Sequence, residues 1–414
     1  MWLQETTTSE RRTLTATFTG YAVDGFDYMI YTFLIPTLLA AWSMSKAEAG
    51  YIATCALLTS AVGGWAAGVL ADRYGRVRVL QWTVLWFALF TFLSGFTNSF
   101  GQLFFTRAMQ GFGMGGEWAV GSVLIAETIS ARHRGKASGL VQSSWAVGWA
   151  ASALAFWGIY AVLPPEMAWK VLFWIGILPA LLTLYIRRTL HEPEIYLATQ
   201  ARLRQSGQRG NFLRIFHRDL LRTTLLASLL ATGMQGAYYS VTTWLPTFLK
   251  TERHLSVLGT STYLLVLIGG SFCGYLTSAW LSDTIGRRRC FMFFAVMGIV
   301  LVLSYTQMVI TDAWMLALGF VLGFFLSGIF AGMGAYLSEL FPSDVRGSGQ
   351  GFCYNVGRAL GAICPALVGY LGNSLPLGQT IGWVAAACYA LVILACLALP
   401  ETRGKELEAA VASA

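Results

Sequence analysis

Two aspartates three residues apart interrupt the first long apolar stretch of this chain, Gly20-Tyr21-Ala22-Val23-Asp24-Gly25-Phe26-Asp27-Tyr28-Met29-Ile30, which continues to Trp42. A charge at bilayer depth is expensive, so each acid needs a partner, a proton or a function. At i,i+3 the two carboxylates share one helix face, about 4.5 Å apart along the axis. Two such groups in a low-dielectric site cannot both ionise cheaply, so the pair is expected to hold a proton. A titratable pair halfway across a membrane points to proton coupling.

Depth arithmetic adds partners. At a rise of about 1.5 Å per residue, Asp24 and Asp27 lie roughly 14–18 Å from the nearer end of their span. Glu117 lies about 15 Å into the fourth span, and Arg358 about 18 Å beyond Arg346 along the eleventh. All four therefore sit near the middle of a core about 30 Å thick. Arg107 lies nearer the far side, about 15 Å from Glu117 on the same helix. The four histidines, His133, His191, His217 and His254, read as loop or linker residues, so a carboxylate must carry any intramembrane proton. Asp24, Asp27 and Glu117 are the candidates, with Arg107 as an influence on them. The competing reading for each is a structural ion pair. The planar fork of Arg358 suits a carboxylate and stays charged at any relevant pH, which makes it a candidate substrate anchor. Tyr28, Tyr31, Trp118, Gln142, Trp145, Gln235, Tyr238, Tyr239, Tyr354 and Asn355 lie at similar depths and are candidate pocket residues, although most aromatics in such a chain pack or anchor at interfaces.

The surrounding elements must be membrane helices. The chain of 414 residues is 56% hydrophobic and only 12% charged, too apolar for a soluble domain. Apolar runs long enough to span recur about twelve times, near 15–41, 47–70, 78–98, 101–127, 136–161, 168–187, 221–249, 256–280, 288–310, 313–340, 348–372 and 377–399. The net charge of +8 does not indicate nucleic acid. With both termini on one side, 22 of the 28 Lys and Arg fall in the termini and the connections on that side, Arg107 and Arg358 lie inside spans, and only Lys46, Lys170, Lys250 and Arg253 fall opposite. The positive-inside rule then places both termini in the cytoplasm. The first apolar stretch is too long for a cleavable signal and carries two acids, so it is expected to remain as a helix. The seven cysteines show no metal-ligand spacing and read as packing residues. No Gly-x-x-x-x-Gly-Lys-Ser/Thr loop or HExxH cluster occurs, so ATP-driven transport and metalloprotease readings fall, and no enzyme constellation is present. No cofactor is expected beyond the proton as coupling ion, and no metal.

A polar segment divides the chain into residues 1–187, a cytoplasmic linker at 188–220, and residues 221–414, and the two halves repeat. Asp72-Arg73-Tyr74-Gly75-Arg76 is echoed by Asp283-Thr284-Ile285-Gly286-Arg287, 211 residues on. Glu127 and Arg134-Gly135 are echoed by Glu339 and Arg346-Gly347, 212 residues on. Such repeats mark carriers that rock one half against the other around a midplane site. The charged loops suggest a cytoplasmic gate built from Asp72, Arg73, Arg76, Glu127, Arg134, Asp283, Arg287, Glu339 and Arg346, with carboxylates meeting helix ends or arginines in one state only. The plainer reading is topogenic charge and a tight glycine turn.

The segment Gly68-Val69-Leu70-Ala71-Asp72-Arg73-Tyr74-Gly75-Arg76-Val77-Arg78 closely resembles the loop signature of the major facilitator superfamily. Arg107-Ala108-Met109-Gln110-Gly111-Phe112-Gly113 is similar to its fourth-helix motif, and Pro400-Glu401-Thr402-Arg403-Gly404 to its common ending. Asp24-Gly25-Phe26-Asp27 with Gly115-Gly116-Glu117-Trp118 looks most like the organic-acid:proton symporters, whose aromatic-acid and sialate branches share both patterns; Trp169 to Pro179 leans toward the sialate type. Three departures stand out. Val77 replaces a second basic residue, Ala279 stands where the first half has Gly68, and the fifth span lacks the Gly-Pro motif typical of proton-driven drug exporters.

The resemblance implies an all-α membrane protein of twelve transmembrane helices in two pseudo-symmetric six-helix bundles, with a cavity between them that sets the three acids against Arg358. It implies a monomeric secondary transporter in a cell membrane, the bacterial inner membrane, carrying a small organic acid with protons by alternating access. A sugar or drug carrier of the same superfamily is the alternative, and a transport-dead nutrient sensor a more distant one.

Overall fold

The computed structural model describes residues 5–129, 134–178, 181, 190, 192, 212–308, 311–342 and 345–402. Within them the chain folds into helices α1 (Thr8–Trp42), α2 (Lys46–Tyr74), α3 (Arg76–Ser94), α4 (Phe100–Thr128), α5 (Arg134–Val162) and α6 (Pro165–Ile175). After a short 3-10 turn at Phe212–Phe216 come α7 (Arg218–Thr251), α8 (Val257–Ile285), α9 (Arg287–Gln307), α10 (Asp312–Gly328), α11 (Met333–Leu340), α12 (Arg346–Gly361), α13 (Ile363–Leu371) and α14 (Leu377–Ala398). The tenth span is α10 with α11 and the eleventh is α12 with α13, each broken near its middle, so twelve crossing segments result. Most of the linker at 188–220 lies outside the described residues.

Helix starts are written locally. Thr7 and Ser45 each close a capping box with Glu10 and Glu48, which satisfies the orphan amides of a first turn. The box at Thr7 explains why α1 begins at Thr8 rather than at the expected 15. α3 and α9 lack such a cap, because the residue before each is a glycine. Their amides are satisfied from a distance instead. The Glu192 carboxylate accepts from the backbone N–H of Arg76 at 2.7 Å and Val77 at 3.0 Å. The Glu401 carboxylate accepts from Arg287 at 2.8 Å and Arg288 at 3.2 Å. Each carboxylate also faces the positive end of a helix dipole. Gly75 and Gly286 turn the chain there at φ +107° and +103°, a conformation open essentially only to glycine.

Small residues set the helix crossings. A Cβ on Gly63 would strike the Phe112 carbonyl, and one on Gly111 the Ala56 carbonyl, where α2 crosses α4. Their counterparts Gly274 and Gly323 meet the Phe324 and Leu267 carbonyls where α8 crosses α10. Close backbone approach of this kind holds helices together in lipid, where burial of apolar surface offers no drive. Gly63–Gly274 and Gly111–Gly323 are 211 and 212 residues apart, so the repeat extends from the charged loops into the packing.

The halves meet through α2 against α12 and α13, α5 against α8, and α1 against α7. Along α2 the contact can be followed. Lys46 Nζ donates to the Gly372 carbonyl at 2.9 Å, and the Thr54 hydroxyl donates to the Ala362 carbonyl at 2.6 Å while accepting from Ala366 N–H at 3.1 Å. Gly64 faces the Asn355 side chain. At Gly68, one turn further, a Cβ would meet no described atom within 4 Å, and the same holds for Gly139 on α5 and Gly351 on α12. The described contacts of α2 with the other half thus gather toward the end bearing Lys46; the opposite end, bearing Arg76, Arg78 and Arg287 to Arg289, is called the basic end below.

Gly286→Ala should lower stability by about 1–3 kcal/mol through strain at positive φ, whereas Gly351→Ala should change it little. Thermal unfolding of the purified protein compares the two; equal melting temperatures would contradict the turn's role.

Candidate functional site

The midplane acids separate into two arrangements. Asp27 on α1 points into its own bundle. Its carboxylate lies 3.6 Å from Arg107 Nη1 on α4, accepts from Gln110 Nε2, and has Thr91 on α3 as a further hydrogen-bond neighbour. The Arg107 guanidinium also lies over the rings of Tyr31 at 5.5 Å and Phe173 at 5.8 Å. Both charged partners are 1% exposed, so each neutralises a charge that would otherwise be stranded. Tyr31 belongs to this group, with its hydroxyl donating to the Ala49 carbonyl at 2.8 Å. It also lies within electrostatic range of Tyr28.

Asp24, one turn earlier on α1, meets the Glu117 carboxyl on α4 within hydrogen-bonding reach. Glu117 fits there because residue 20 is glycine: a Cβ at Gly20 would occupy the position of Glu117 Oε1. Both acids are 1% exposed, and Asp24 Oδ1 and Glu117 Oε1 have no hydrogen-bond partner among the described residues.

Arg358 on α12 faces this carboxyl pair from the other half, within electrostatic range of Asp24. It is 4% exposed, donates from Nη2 to the Tyr354 hydroxyl at 3.1 Å, and has Tyr239 as a second hydroxyl neighbour. No carboxylate of a described residue comes within 4 Å of it, and its Nε has no partner. The Trp118 and Tyr354 rings, one from each half, stack at 4.0 Å and 11°. The guanidinium lies 5.9 Å and 5.0 Å from the same two rings.

Aromatic and amide side chains complete the enclosure. Trp118 Nε1 donates to Gln142 Oε1 at 3.2 Å, and Trp145 Nε1 donates across the halves to the Tyr238 hydroxyl at 2.6 Å. The Tyr28 hydroxyl meets Thr243 Oγ1 at 3.1 Å, also across the halves, and its ring lies 5.5 Å from that of Tyr239. Gln235 Nε2 donates to the Tyr354 carbonyl at 2.9 Å, leaving its Oε1 without a partner. Asn355 donates to the Gly351 carbonyl of its own helix and turns its oxygen toward Gly64.

Several residues of the site escape sequence reasoning. Tyr21 packs on Trp145 at 5.2 Å, Thr243 pairs with Tyr28, Gln110 donates to Asp27, and Thr91 lies near the same carboxylate. The first three lie near motif residues, but nothing in their types marks them. Glu192 and Glu401, which cap α3 and α9, were detectable: both follow a sixth span of their half and sit 209 residues apart.

At the basic end, Arg287 pairs with Glu339 at 3.1 Å and also donates to Ser282 Oγ at 3.2 Å. The Thr402 hydroxyl donates to the same glutamate. These contacts lie within the second half. Arg76 is buried beneath the turn that Glu192 caps. The side chains of Asp72, Arg73, Glu127, Arg134, Asp283 and Arg346 lie outside the described residues.

Two helical bundles that close over a charged, aromatic-walled site at the middle of their helices match the architecture of membrane carriers. The chain belongs to the major facilitator superfamily, whose family model matches residues 17–311 and 268–413. It is 41% identical over 98% of its length, and 94% of the relative's, to a probable 4-methylmuconolactone transporter of Cupriavidus pinatubonensis. It is 31% identical, over 93% of each chain, to a cis,cis-muconate transport protein of Acinetobacter baylyi, and 26% identical over 95% of each to a sialic acid transporter of Escherichia coli. Among solved structures, the inward-open xylose transporter of E. coli matches with a TM-score of 0.74 at 20% identity, covering 95% of this chain and 97% of that one. The last likeness speaks to fold alone.

Asp27→Asn leaves Arg107 charged and unpaired, and should destabilise the protein by about 3–5 kcal/mol; adding Arg107→Met should restore part of the loss. Arg358→Met strands no acid and should cost less. A thermal-unfolding cycle over these variants reads the coupling, and additive effects would refute the pairing.

Proposed function

We propose that this carrier takes up a small organic acid anion together with protons across a bacterial inner membrane, as a monomer. The observation that carries the reading is the contrast between its two central arginines. Arg107 is neutralised by Asp27 inside one bundle, whereas Arg358 is buried without any described carboxylate in contact. A guanidinium enclosed that way is costly until an anion joins it, and it presents a fork suited to a substrate carboxylate. The names of the relatives, carriers of muconolactone, muconate and sialic acid, support an organic acid. A neutral sugar would leave the charge uncompensated.

The proton is assigned to the Asp24–Glu117 pair. Two carboxyl groups in hydrogen-bonding reach need one proton between them, and burial makes the doubly ionised state expensive. Asp27, held by Arg107, is the next carboxylate along α1 and the step toward the other side. With both carboxyls of the pair protonated and an anion on Arg358, the site can close and reopen without enclosing net charge, so loading the anion calls for a second proton beyond the one the pair shares. The basic end is assigned to the cytoplasm by its arginines. At that end, Glu192 and Glu401 hold the turns at Gly75 and Gly286, and Arg287 and Glu339 form one half of the cytoplasmic gate.

Uptake into proteoliposomes tests the assignment. Asp24→Asn and Glu117→Gln should each abolish accumulation driven by a proton gradient while sparing counterflow exchange; full uphill uptake by both would overturn the proton site. Arg358→Lys should raise the half-saturating concentration at least about tenfold, by loss of the bidentate fork. An unchanged value would remove Arg358 as the anchor.

A further inference from the structure

We infer that the Trp118–Tyr354 stack is a planarity gauge: the carrier selects acids whose carboxylate is attached to a flat conjugated body, and reads flatness with these two rings. The inference rests on the reading of Arg358 as the carboxylate anchor. Four observations lead to it. The two rings come from opposite halves, α4 and α12, and lie parallel at 4.0 Å and 11°. The Arg358 guanidinium sits beside both, 5.9 Å and 5.0 Å from their centroids. Each ring is held in its plane by a hydrogen bond or a fixed neighbour, Trp118 through Gln142 and Tyr354 through Arg358. Trp118 directly follows Glu117 in the chain, so movement of the ring and of the proton-bearing carboxyl are tied through one helix turn.

A stack that bridges the halves must break whenever they separate at this depth. Each ring then loses a π partner, and two parallel apolar faces open beside the cation. A conjugated acid is about 3.5 Å thick, one van der Waals contact. It can enter that gap edge-on, set its carboxylate on Arg358, and restore a stack on both faces with the halves only slightly further apart. Aromatic and conjugated bodies also gain from offset stacking beyond the area they bury. A puckered saturated ring is thicker, offers no π face, and keeps the rings too far apart for closure. A polyhydroxylated sugar acid would in addition lay hydroxyls against apolar ring faces, where they find no hydrogen-bond partner.

The test compares benzoate with cyclohexanecarboxylate, which share charge, ring size and carboxylate but differ in flatness. Protection of the purified protein against thermal unfolding gives the apparent affinity of each, and competition in the proteoliposome assay gives an independent value. Benzoate should act at a concentration about tenfold lower. Trp118→Leu should bring the two acids within about threefold of each other, and Trp118→Phe, which keeps a ring, should preserve most of the gap. If both acids protect the native protein equally, the gauge is wrong while the anion reading stands. If neither acid protects, the anion reading fails and the gauge with it. The comparison on the native protein decides even where Trp118→Leu does not fold.

Discussion

The cost of holding charge away from water governs this protein. Five ionisable groups that would be unremarkable on a surface, Asp24, Asp27, Glu117, Arg107 and Arg358, are all nearly inaccessible near the middle of the bilayer. Each demands compensation, and the way each finds it divides the site. Asp27 and Arg107 compensate one another within a bundle and are further satisfied by Gln110, which makes them a fixed element. Asp24 and Glu117 are acids facing acids, a contact that is satisfied only with a proton. Arg358 has hydroxyls and ring faces around it, which soften its charge without cancelling it. The two incomplete arrangements face each other from opposite halves, and in the function proposed above a proton completes one and a substrate anion the other.

The scaffold lets that arrangement move. Glycines at the crossings of α2 with α4 and of α8 with α10 bring backbones into contact, so each half is stiff. Between halves the described contacts include a hydrogen bond from Lys46, a shared pair at Thr54, a tryptophan to a tyrosine, a tyrosine to a threonine and one aromatic stack, with glycine-packed backbone approach at one end of the seam, where a Cβ on Gly50 would strike the Pro365 carbonyl and one on Gly369 the Lys46 carbonyl. Stiff bodies joined by breakable polar and aromatic contacts can rock, whereas a continuous glycine-packed seam would hold them closed. The carboxylate caps from Glu192 and Glu401 belong to the stiff part, tying the end of each half back onto its own sharp turn.

Much of the architecture was legible beforehand because membrane constraints act on local sequence. Backbone groups in lipid must be satisfied internally, so spans show as apolar runs, and the repeat shows because both halves solve the same turn with Asp-x-x-Gly-Arg. Among the described residues eight spans are both long and apolar enough to cross a membrane; α6 falls outside them with 11 residues, whereas α1, α4 and α7 fall outside them despite 35, 29 and 34 residues. Those three carry Asp24 and Asp27, Arg107 and Glu117, and Gln235, so the polarity that weakens their span signal marks the site. Depth along a helix was also readable, since rise per residue is constant.

What the sequence alone determined, then, is which residues reach the midplane and that two similar halves deliver them: helix rise and hydropathy are local properties. Only the tertiary structure decided who meets whom. Depth grouped Asp24 with Asp27, but rotation about α1 sends Asp24 to Glu117 over Gly20, and Asp27 to Arg107 beside Tyr31. It likewise left Arg358 without an acid and laid Trp118 on Tyr354 across more than 230 residues of chain. Azimuth around each helix and contact between halves depend on how bundles pack, and no stretch of local sequence encodes either.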